Sequence, residues 1–419
     1  MVRRRYLLVF CLVAVPEVSF ADDPPPVKPW FPKAPPLAKP VGRSVRVRTV
    51  DELFRAASGV RPGDTILVAP GHYLLPQTLE LTTDDVTLRG ESGDRDAVVL
   101  DGRASRHGEL LAITGCSGVT VADLTIQNVR WNGFKLSSDR KAHRVTIYNC
   151  VGRNVWQRMV KAPATADKDR EELSPRDCRI QYCLFYNDRP KRYGDDPDDT
   201  ADRYQGNYIG GIDAMQARGW VISDNVFSGI HGRTSEARGA VFLWMDCRDC
   251  VVERNIVIGC DAGLCLGNSY RGDAAVHCTG CVVRNNFVTA APEAGIFAGF
   301  TRDCKILHNT VHDPASRFKR LIRVLGDNNS LLVANNLLSS AAPLIETRDR
   351  VELRGNVNRD LTASFVDAAA GNLRLKSEVP GVTGAVSFSA DVLDDIDGRL
   401  RNRRTDAGAY EYSPGSRRP

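Results

Sequence analysis

The chain has 419 residues, enough for several ordinary domains or for one long array of repeats. Hydrophobic residues make up 42% of it and the formal net charge is +5 at pH 7, which is typical of a folded, water-soluble protein. Basic and acidic residues are interleaved, which argues against nucleic-acid binding, and no segment after the N-terminal one is long and apolar enough to span a bilayer.

The N-terminal segment has the three parts of a secretory signal peptide. "MVRRRY" is a basic start, "LLVFCLVAV" is an apolar stretch too short to cross a membrane, and "SFA" is a small-residue cleavage site. We therefore predict a signal peptide at residues 1–21 and a protein that is secreted or periplasmic. Residues 22–44 are rich in proline, which cannot donate a hydrogen bond to a strand, and are predicted to form a flexible leader.

A short helix is predicted directly after the leader. Thr49 and Glu52 have the spacing of a capping box at the start of "TVDELFRAASG". A strand, "DTILVAPGHY", follows, and helical periodicity is almost absent from the rest of the chain. An array of stacked repeats needs a cap on its open apolar end, and this helix is the candidate for that cap.

One short phrase recurs along the remaining sequence. "GWVISDNVFSGI", "DCVVERNIVIGC" and "GCVVRNNFVTAA" each contain aliphatic residues, a polar pair ending in Asn, and two further apolar residues. Short strands that repeat without two-residue hairpin turns predict a solenoid, in which each strand pairs in parallel with its equivalent one coil away. The asparagines are predicted to occupy left-handed turn positions and to bond to one another in a ladder formed by Asn149, Asn225, Asn255, Asn286, Asn309, Asn336 and Asn356.

These repeats resemble the right-handed parallel β-helix superfamily, which includes pectate lyases, chondroitinase-B-like and alginate lyases, and mannuronan epimerases. The resemblance covers residues 45–412, from "TVDELFRAASGVRPGDTILVAPGHY" to "DIDGRLRNRRTDAGAYEY". It implies an all-β fold: a single right-handed parallel β-helix of three sheets with an N-terminal capping helix, followed by a disordered tail at residues 413–419. It also implies an asparagine ladder between the second and third sheets, and a substrate groove on the outer face of the first sheet.

The residues that face this groove can be read from the alternation of side chains along each strand. In "GFKLS", "RMVKA", "GIDAM" and "LIRVL" the apolar residues suit the interior of the coil. The outward residues then form a predicted exposed column along the helix axis: Lys135, Lys161, Asp213 and Arg323. Such a column suits an extended polymer chain, although an ordinary solvated face would show the same pattern.

Two predicted insertions, at residues 162–208 and 229–239, flank the column, and long loops on a rigid scaffold commonly carry function. The candidate site residues in and just after them are Lys191, Arg192, Tyr193, His231, Arg233, Glu236 and Trp244. Oxygen ligands for a calcium ion are offered by Asp195, Asp196, Asp198 and Asp213. The acidic run lacks EF-hand spacing, which favours a solvated loop. Trp244 suits either stacking on sugar rings or buried packing.

Eliminative cleavage of a uronate polymer needs a group that neutralises the carboxylate, a base for the C5 proton and an acid for the leaving oxygen. The candidates for these roles are His231, Arg233, Lys161 and Tyr193. A lone histidine in a loop is also commonly structural. Glycoside hydrolysis would instead need two carboxylates, which Asp213 with Glu236 or Asp246 offers.

The preferred prediction is a monomeric polysaccharide lyase that acts on an acidic polysaccharide. The alternatives are a glycoside hydrolase or C5 epimerase on the same scaffold, and a non-catalytic carbohydrate-binding or structural solenoid. The Asn-Gly-Glu segment that carries a calcium-binding acid in chondroitinase-B-like and alginate lyases is missing; "GNYIGGID" takes a comparable place and offers Asp213. The sequence establishes no cofactor, and Ca²⁺ is the candidate for this site.

The cysteines follow the same repeat. Cys178, Cys250, Cys281 and Cys304 each directly precede a predicted second-sheet strand and should share one turn column, with Cys250 next to Cys281. Stacked positions of this kind lie within disulfide range. Three interpretations are open: a ladder of free thiols, one or two disulfides between coils, and a four-cysteine zinc site.

Overall fold

The computed structural model describes residues 26–272 and 274–414. The predicted signal peptide and residues 415–419 of the predicted tail lie outside this range. Most of the described chain winds through three long parallel sheets, so that the predicted parallel β-helix is confirmed. Within the part of the chain described, no helix has the length and apolar composition needed to cross a membrane.

A typical coil contributes one strand to each sheet, in the order first, second and third. Two coils contribute an additional short strand to the first sheet, Cys247–Arg248 and Cys278–Thr279. The first sheet contains Leu79–Leu81, Leu111–Ser117, Asn132–His143, Arg158–Ala162, Gly210–Met215, Val241–Trp244, Cys247–Arg248, Ala262–Leu266, Cys278–Thr279, Ala294–Arg302, Ile322–Asn329 and Leu344–Glu346. The second contains Ser44–Val47, Thr65–Val68, Thr87–Gly90, Thr120–Ala122, Thr146–Tyr148, Arg179–Gln181, Val221–Ser223, Val251–Glu253, Val282–Arg284, Lys305–Leu307, Leu332–Ala334 and Glu352–Arg354. The third contains Gly71–Leu74, Val98–Asp101, Thr125–Val129, Val151–Val155, Leu184–Tyr186, Val226–Ser228, Ile256–Ile258, Phe287–Thr289, Thr310–His312, Leu337–Leu338 and Val357–Asn358.

Equivalent residues of successive coils are direct neighbours across the sheets. In the second sheet Val221 pairs with Val251, and Val251 pairs with Val282. The inward residues of all three sheets form one continuous apolar core, which includes Ile222, Val252 and Val283. Burial of this stacked column of aliphatic side chains is the main driving force for the fold, since apolar area removed from water stabilises roughly in proportion to its size.

The predicted capping helix spans Val50–Gly59 and buries Leu53, Ala56 and Ala57 against the first coil. Thr49 accepts a hydrogen bond from the backbone of Glu52, as a capping box requires. The Glu52 carboxylate accepts from the backbone of Arg48 at 2.7 Å. The helix therefore has a capped start and covers the apolar end of the coil.

Six of the seven predicted ladder asparagines form a continuous hydrogen-bonded column at the turn between the second and third sheets. The amide of Asn225 donates to the side chain of Asn255 at 3.0 Å, and the same bond repeats through Asn286, Asn309, Asn336 and Asn356. Asn149 lies one position earlier in its turn, so Cys150 and Cys183 take the equivalent places in their coils.

The backbone of this turn differs from the expectation. The left-handed residue is the one that precedes each ladder asparagine, for example Asp224 at φ 60° and Arg254 at φ 52°. Asn149, at φ 49°, belongs to this left-handed set. The ladder residue points into the coil and the left-handed residue points out of it. This explains why the left-handed position tolerates charged side chains such as Asp224 and Arg254.

The coil ends earlier than predicted. Its last strand is Val357–Asn358, and residues 359–414 form two small antiparallel pairs, Phe365–Asp367 with Asn372–Leu375 and Val386–Ser387 with Arg404–Thr405. This C-terminal segment folds back over the outer face of the third sheet, where its apolar residues contact Val226, Ile256 and Phe287. Outward residues of the third sheet are apolar because they are covered.

The predicted insertion at residues 162–208 is two separate loops. Strands Arg179–Gln181 and Leu184–Tyr186 complete a coil between them. The first loop carries the short helices Asp167–Asp169 and Arg170–Leu173, and the second ends in Tyr204–Gly206. A further single turn, Thr362–Ser364, lies in the C-terminal segment.

The proline-rich leader packs on the coil rather than extending freely. The side chain of Phe31 is buried with the C-terminal segment, and the Tyr148 hydroxyl donates to the carbonyl of Pro35 at 2.7 Å. Arg89 donates to the carbonyl of Ala38. These two bonds satisfy backbone carbonyl acceptors of the leader and tie it to the coil.

Candidate functional site

The outer face of the first sheet carries the predicted column. Lys135 pairs with Lys161, and Lys161 pairs with Asp213 in the next coil. Phe242, Cys265 and Phe297 continue the column, and Arg323 follows Phe297. The polar residues of the prediction therefore lie at two places, separated by an apolar stretch of three coils.

Lys161 and Asp213 are buried, although the sequence suggested an exposed column. They form an ionic cluster with Arg158, which begins the same strand as Lys161 and is also buried. The Arg158 Nε lies 2.7 Å from Asp213 Oδ2, and the Lys161 Nζ lies 2.9 Å from the same oxygen. Pairing of this kind is what makes burial of three charges tolerable.

The cluster shifts the pKa values of its members. Burial alone would raise the pKa of Asp213, but the charges of Lys161 and Arg158 and their hydrogen bonds outweigh it and hold this pKa at about 2. Burial lowers the pKa of Lys161, which the charge of Arg158 also lowers and that of Asp213 opposes. Asp213 is therefore ionised at neutral pH, and burial favours the neutral amine of Lys161.

Two aromatic residues cover the cluster. The indole Nε1 of Trp244 donates to Asp213 Oδ1 at 3.0 Å, and its ring stacks on Phe242 with centroids 5.1 Å apart. The Arg158 guanidinium lies over the ring of Tyr208, 4.1 Å from its centroid. Burial raises the pKa of the Tyr208 phenol, and Arg158 partly offsets this effect. Sequence reasoning missed Arg158 and Tyr208. Alternation puts Arg158 in phase with inward Val160 and so hides its contact with Asp213, and Tyr208 lies in a loop that alternation does not describe.

A cavity of about 440 Å³ adjoins this cluster on the same face. Its floor is apolar and includes Phe242, Cys265 and Phe297. Its polar lining includes Tyr204, Tyr208, Glu236, Arg238, Glu293 and Arg323. Tyr208 thus contacts both the buried cluster and the cavity, and a floor of apolar side chains with a polar rim suits a sugar ring.

Of the residues predicted for binding, Glu236 and Arg323 line the cavity. Glu236 accepts hydrogen bonds from Asn207 and Thr234, each at 3.1 Å. Arg323 is paired with Glu346 at 2.6 Å. Lys135 lies away from the cavity, at a second hollow near Glu109, to which its ammonium is paired at 3.4 Å.

His231 and Arg233 do not line the cavity. His231 Nδ1 lies 2.6 Å from Asp261 Oδ1, while the other oxygen of Asp261 accepts from the backbone of Gly232 and Ala237. Arg233 lies over the ring of exposed Tyr193, 4.6 Å from its centroid. These contacts fix the path of the loop, and they suit a positioning role for His231.

The acidic run is held by cations from the same loop. Lys191 is fully buried, and its ammonium lies 3.1 Å from Asp196 and 2.7 Å from Asp199. Arg189 forms two bonds of 2.7 Å to Asp195. Lys191 is therefore a structural residue and not the predicted surface contact for substrate, whereas Arg192 and Asp198 are exposed.

Within the described residues no group of three or more His, Cys, Asp or Glu side chains has a geometry that could hold a metal ion. Three of the four carboxylates predicted as calcium ligands are paired with cations: Asp213 with Arg158 and Lys161, Asp196 with Lys191, and Asp195 with Arg189. The fourth, Asp198, is exposed. The requirement for Ca²⁺ stays a prediction, and its ligands would have to include groups outside this acidic run.

Three of the four cysteines predicted to share one turn column are direct neighbours in it. Cys250 and Cys281 occupy equivalent positions in adjacent coils, and Cys304 follows Cys281. Trp220 lies between Cys178 and Cys250 in this column. All 11 cysteines of the described chain are buried and carry free thiols. Burial raises the pKa of Cys178 to about 12, so this thiol is protonated and unreactive at neutral pH.

Comparison with known proteins agrees with this architecture. A family model described as "Right handed beta helix region" matches residues 109–338. Among solved structures, a pectate lyase is similar with a TM-score of 0.58 at 13% identity, over 85% of this chain and 90% of that one. A PL6 family polysaccharide lyase from Pseudopedobacter saltans is similar with a TM-score of 0.40 at 14% identity, over 80% of this chain and 96% of that one. A mannuronan C-5 epimerase module from Azotobacter vinelandii has a TM-score of 0.37 at 16% identity, over 75% of this chain and 90% of that one. A search of curated protein sequences found no match.

Proposed function

Because the chain belongs to the right-handed β-helix family, we propose that it uses the outer face of its first sheet to cleave an acidic polysaccharide by β-elimination. The observation that carries the proposal is the position of Tyr208, which contacts both the Arg158–Lys161–Asp213 cluster and an apolar-floored cavity. The pectate lyase among its structural neighbours has this scaffold, and scaffold alone does not decide activity.

The lining of the cavity supports an acidic sugar as the ligand. Phe242 and Phe297 offer apolar surface to the faces of pyranose rings. Arg238 and Arg323 place guanidinium groups at the same cavity, and a guanidinium can bind a carboxylate through two parallel hydrogen bonds. Binding of the uronate carboxylate would also make the neighbouring C5 proton more acidic, by stabilising the negative charge that develops on its removal.

The cluster supplies groups for the two proton transfers. In the elimination a base takes the C5 proton, a C4=C5 double bond forms as the C4–O4 bond breaks, and an acid protonates the departing oxygen. Lys161 lies beyond Asp213 in the column and does not line the cavity, so it would act as the base on a sugar that extends past Phe242. Burial lowers the pKa of Lys161, which favours the neutral amine. Tyr208 keeps its proton at neutral pH because burial raises its pKa, and its phenol is the donor to the leaving oxygen.

Hydrolysis is the second candidate, and one observation favours it. Glu236 and Glu293 line the same cavity, and glycoside hydrolysis uses two carboxyl groups on either side of the bond. Glu293 is paired with Arg320 at 3.5 Å. A hydrolase would release reducing ends without forming a double bond.

The test is incubation with a panel of purified polyuronates, such as polygalacturonate, alginate and glycosaminoglycans. Ultraviolet absorbance of the unsaturated product and the number of new reducing ends are measured together. We expect both to rise in step on at least one polymer, and Tyr208→Phe and Lys161→Gln to abolish both. Lys135→Gln is the matched control, since this lysine is in the same column but is paired with Glu109 and not with Asp213.

New reducing ends without new absorbance would replace elimination by hydrolysis. Absence of both signals on every polymer would overturn the proposed cleavage. Circular dichroism of each variant shows whether the fold is intact, so that loss of activity is not confused with unfolding.

A further inference from the structure

A second and larger cavity lies on another side of the coil, between the proline-rich leader, the turn of the asparagine ladder and the C-terminal segment. Its volume is about 1100 Å³, and it shares no lining residue with the groove. Pockets for small ligands commonly have volumes of several hundred Å³, so this one has room for more than one sugar ring.

Three parts of the chain that are distant in sequence build this cavity. The leader contributes Trp30, and the C-terminal segment contributes Tyr410 and Tyr412. The ladder turn contributes Tyr182 and Arg254, which occupy the outward, left-handed position of their coils. The residues that follow them, Cys183 and Asn255, point inward, so the geometry of the turn is what presents Tyr182 and Arg254 to the cavity.

The chemistry of the lining is that of a site for an acidic saccharide. Flat aromatic surfaces come from Trp30, Tyr182, Tyr410 and Tyr412. Five cationic and three acidic side chains line the same cavity, which leaves it net positive: Lys33, Arg254, Arg374, Lys376 and Arg399 against Asp224, Asp394 and Asp397. The three arginines are paired with the three aspartates, so the net positive charge comes from Lys33 and Lys376. Aromatic faces and this excess of cationic groups together match a ligand with apolar ring faces and carboxylates.

Contacts inside the cavity hold these groups in place. The Arg374 guanidinium lies 5.6 Å from the ring centroid of Trp30 and is paired with Asp397 at 2.6 Å. Arg399 lies 5.9 Å from the ring centroid of Tyr410. The aromatic rings are thus fixed before any ligand arrives, which reduces the entropy lost on binding.

We propose that this cavity is a second, non-catalytic binding site for an acidic oligosaccharide, separate from the groove. The choice of ligand class rests on the proposed function, because a second site for the same polymer would keep the chain attached while the groove acts. Simultaneous engagement of two sites on one polymer raises the overall affinity well above that of either site alone.

The test is calorimetric titration with short oligouronates (galacturonate and mannuronate tetramers) on the full chain. We expect two binding equivalents in the wild type. The double variant Trp30→Ala/Tyr412→Ala should lose one of them, and Arg323→Ala should lose the other. Tyr270→Ala is the matched control, an exposed aromatic residue that lines neither cavity and should keep both equivalents.

A single equivalent in the wild type that Arg323→Ala removes and Trp30→Ala/Tyr412→Ala leaves intact would overturn the second site, while the proposed function would stand. If no polymer is cleaved, but the wild type binds an oligouronate that Trp30→Ala/Tyr412→Ala does not bind, the proposed function fails and the second site stands. Absence of any binding would overturn the site. Matched circular dichroism spectra confirm that both variants are folded.

Discussion

At the residue scale, the asparagine ladder is the most demanding feature of the fold. Asn286 is fully buried, and its amide donates to Asn309 at 2.9 Å and to the carbonyl of Val252 at 2.9 Å. The side-chain oxygen of Asn286 accepts from the backbone N–H and from the side-chain amide of Asn255. One side chain thus satisfies polar groups in two neighbouring coils that have no access to water.

Replacement of Asn286 by alanine should therefore destabilise the protein strongly. Each buried polar group left without a partner costs roughly 1–3 kcal/mol, and Asn286→Ala strands at least two of them. Urea unfolding measures the change in free energy. Asn149→Gly is the control, because Asn149 is outside the ladder and glycine accepts its left-handed backbone without strain. Equal loss in both variants would refute a special role for the ladder.

The ionic cluster predicts a pH dependence of stability. The pKa of Asp213 is about 2 in the folded protein, below its usual value of 3.8, so its contribution is complete above pH 4 and is lost as the pH falls toward 2. The difference corresponds to about 2 kcal/mol at the usual conversion of pKa to free energy. In Asp213→Asn this part of the acid sensitivity should disappear. An unchanged slope of stability against pH in that window would contradict the assignment.

At the scale of elements, a buried arginine reinforces the apolar contacts that hold the C-terminal segment to the coil. Arg401 donates to Asn285 at 2.8 Å in the ladder turn and to Glu411 at 3.2 Å within its own segment. Its side chain has no exposed surface, so its removal would leave the Glu411 carboxylate buried without a cation. Breaking such a buried pair is generally costly.

We expect Arg401→Ala to release residues 359–414 from the third sheet. The loss should be about 3–5 kcal/mol, as for other buried ion pairs that lose one partner. Limited proteolysis should then cut this segment while the coil resists. Arg403→Ala, at an exposed position two residues away, should leave the digestion pattern unchanged. A protected segment in Arg401→Ala would show that apolar contacts alone hold it.

The stacked thiols give a prediction for the turn that precedes the second sheet. Cys281 lies between Cys250 and Cys304, and the thiol of Cys281 together with burial raises the pKa of Cys304 well above its ordinary value. Buried, protonated thiols react slowly. Titration with a thiol reagent should therefore find almost no reactive cysteine in the native protein. After unfolding without reductant, all 11 cysteines of the described residues should react. A deficit after unfolding would reveal disulfides between coils.

At the scale of the whole molecule, periodic features of the sequence predicted the coil well. Alternation placed Lys135, Lys161 and Asp213 in one column, because register in a solenoid follows directly from strand spacing. The ladder was misaligned at Asn149, since an asparagine suits both the left-handed position and the inward position next to it. Only the strand register, which puts Cys150 inward, separates the two.

Features that depend on loop packing could not be predicted in the same way. The sequence gives no sign that the loop ending at Tyr208 covers Arg158, or that Lys191 folds onto the acids of its own loop. The C-terminal segment looked like further coil because its strands are short and apolar too. Long-range packing of irregular segments is decided by complementary surfaces, which a single sequence does not display.

The most direct test of the central claim is a crystal structure of Lys161→Gln with a bound oligouronate. We predict sugar rings over Phe242 and Phe297 along the outer face of the first sheet, with a carboxylate on Arg238 or Arg323 and the glycosidic oxygen next to the Tyr208 hydroxyl. An oligosaccharide bound elsewhere, with this face empty at saturation, would contradict the account.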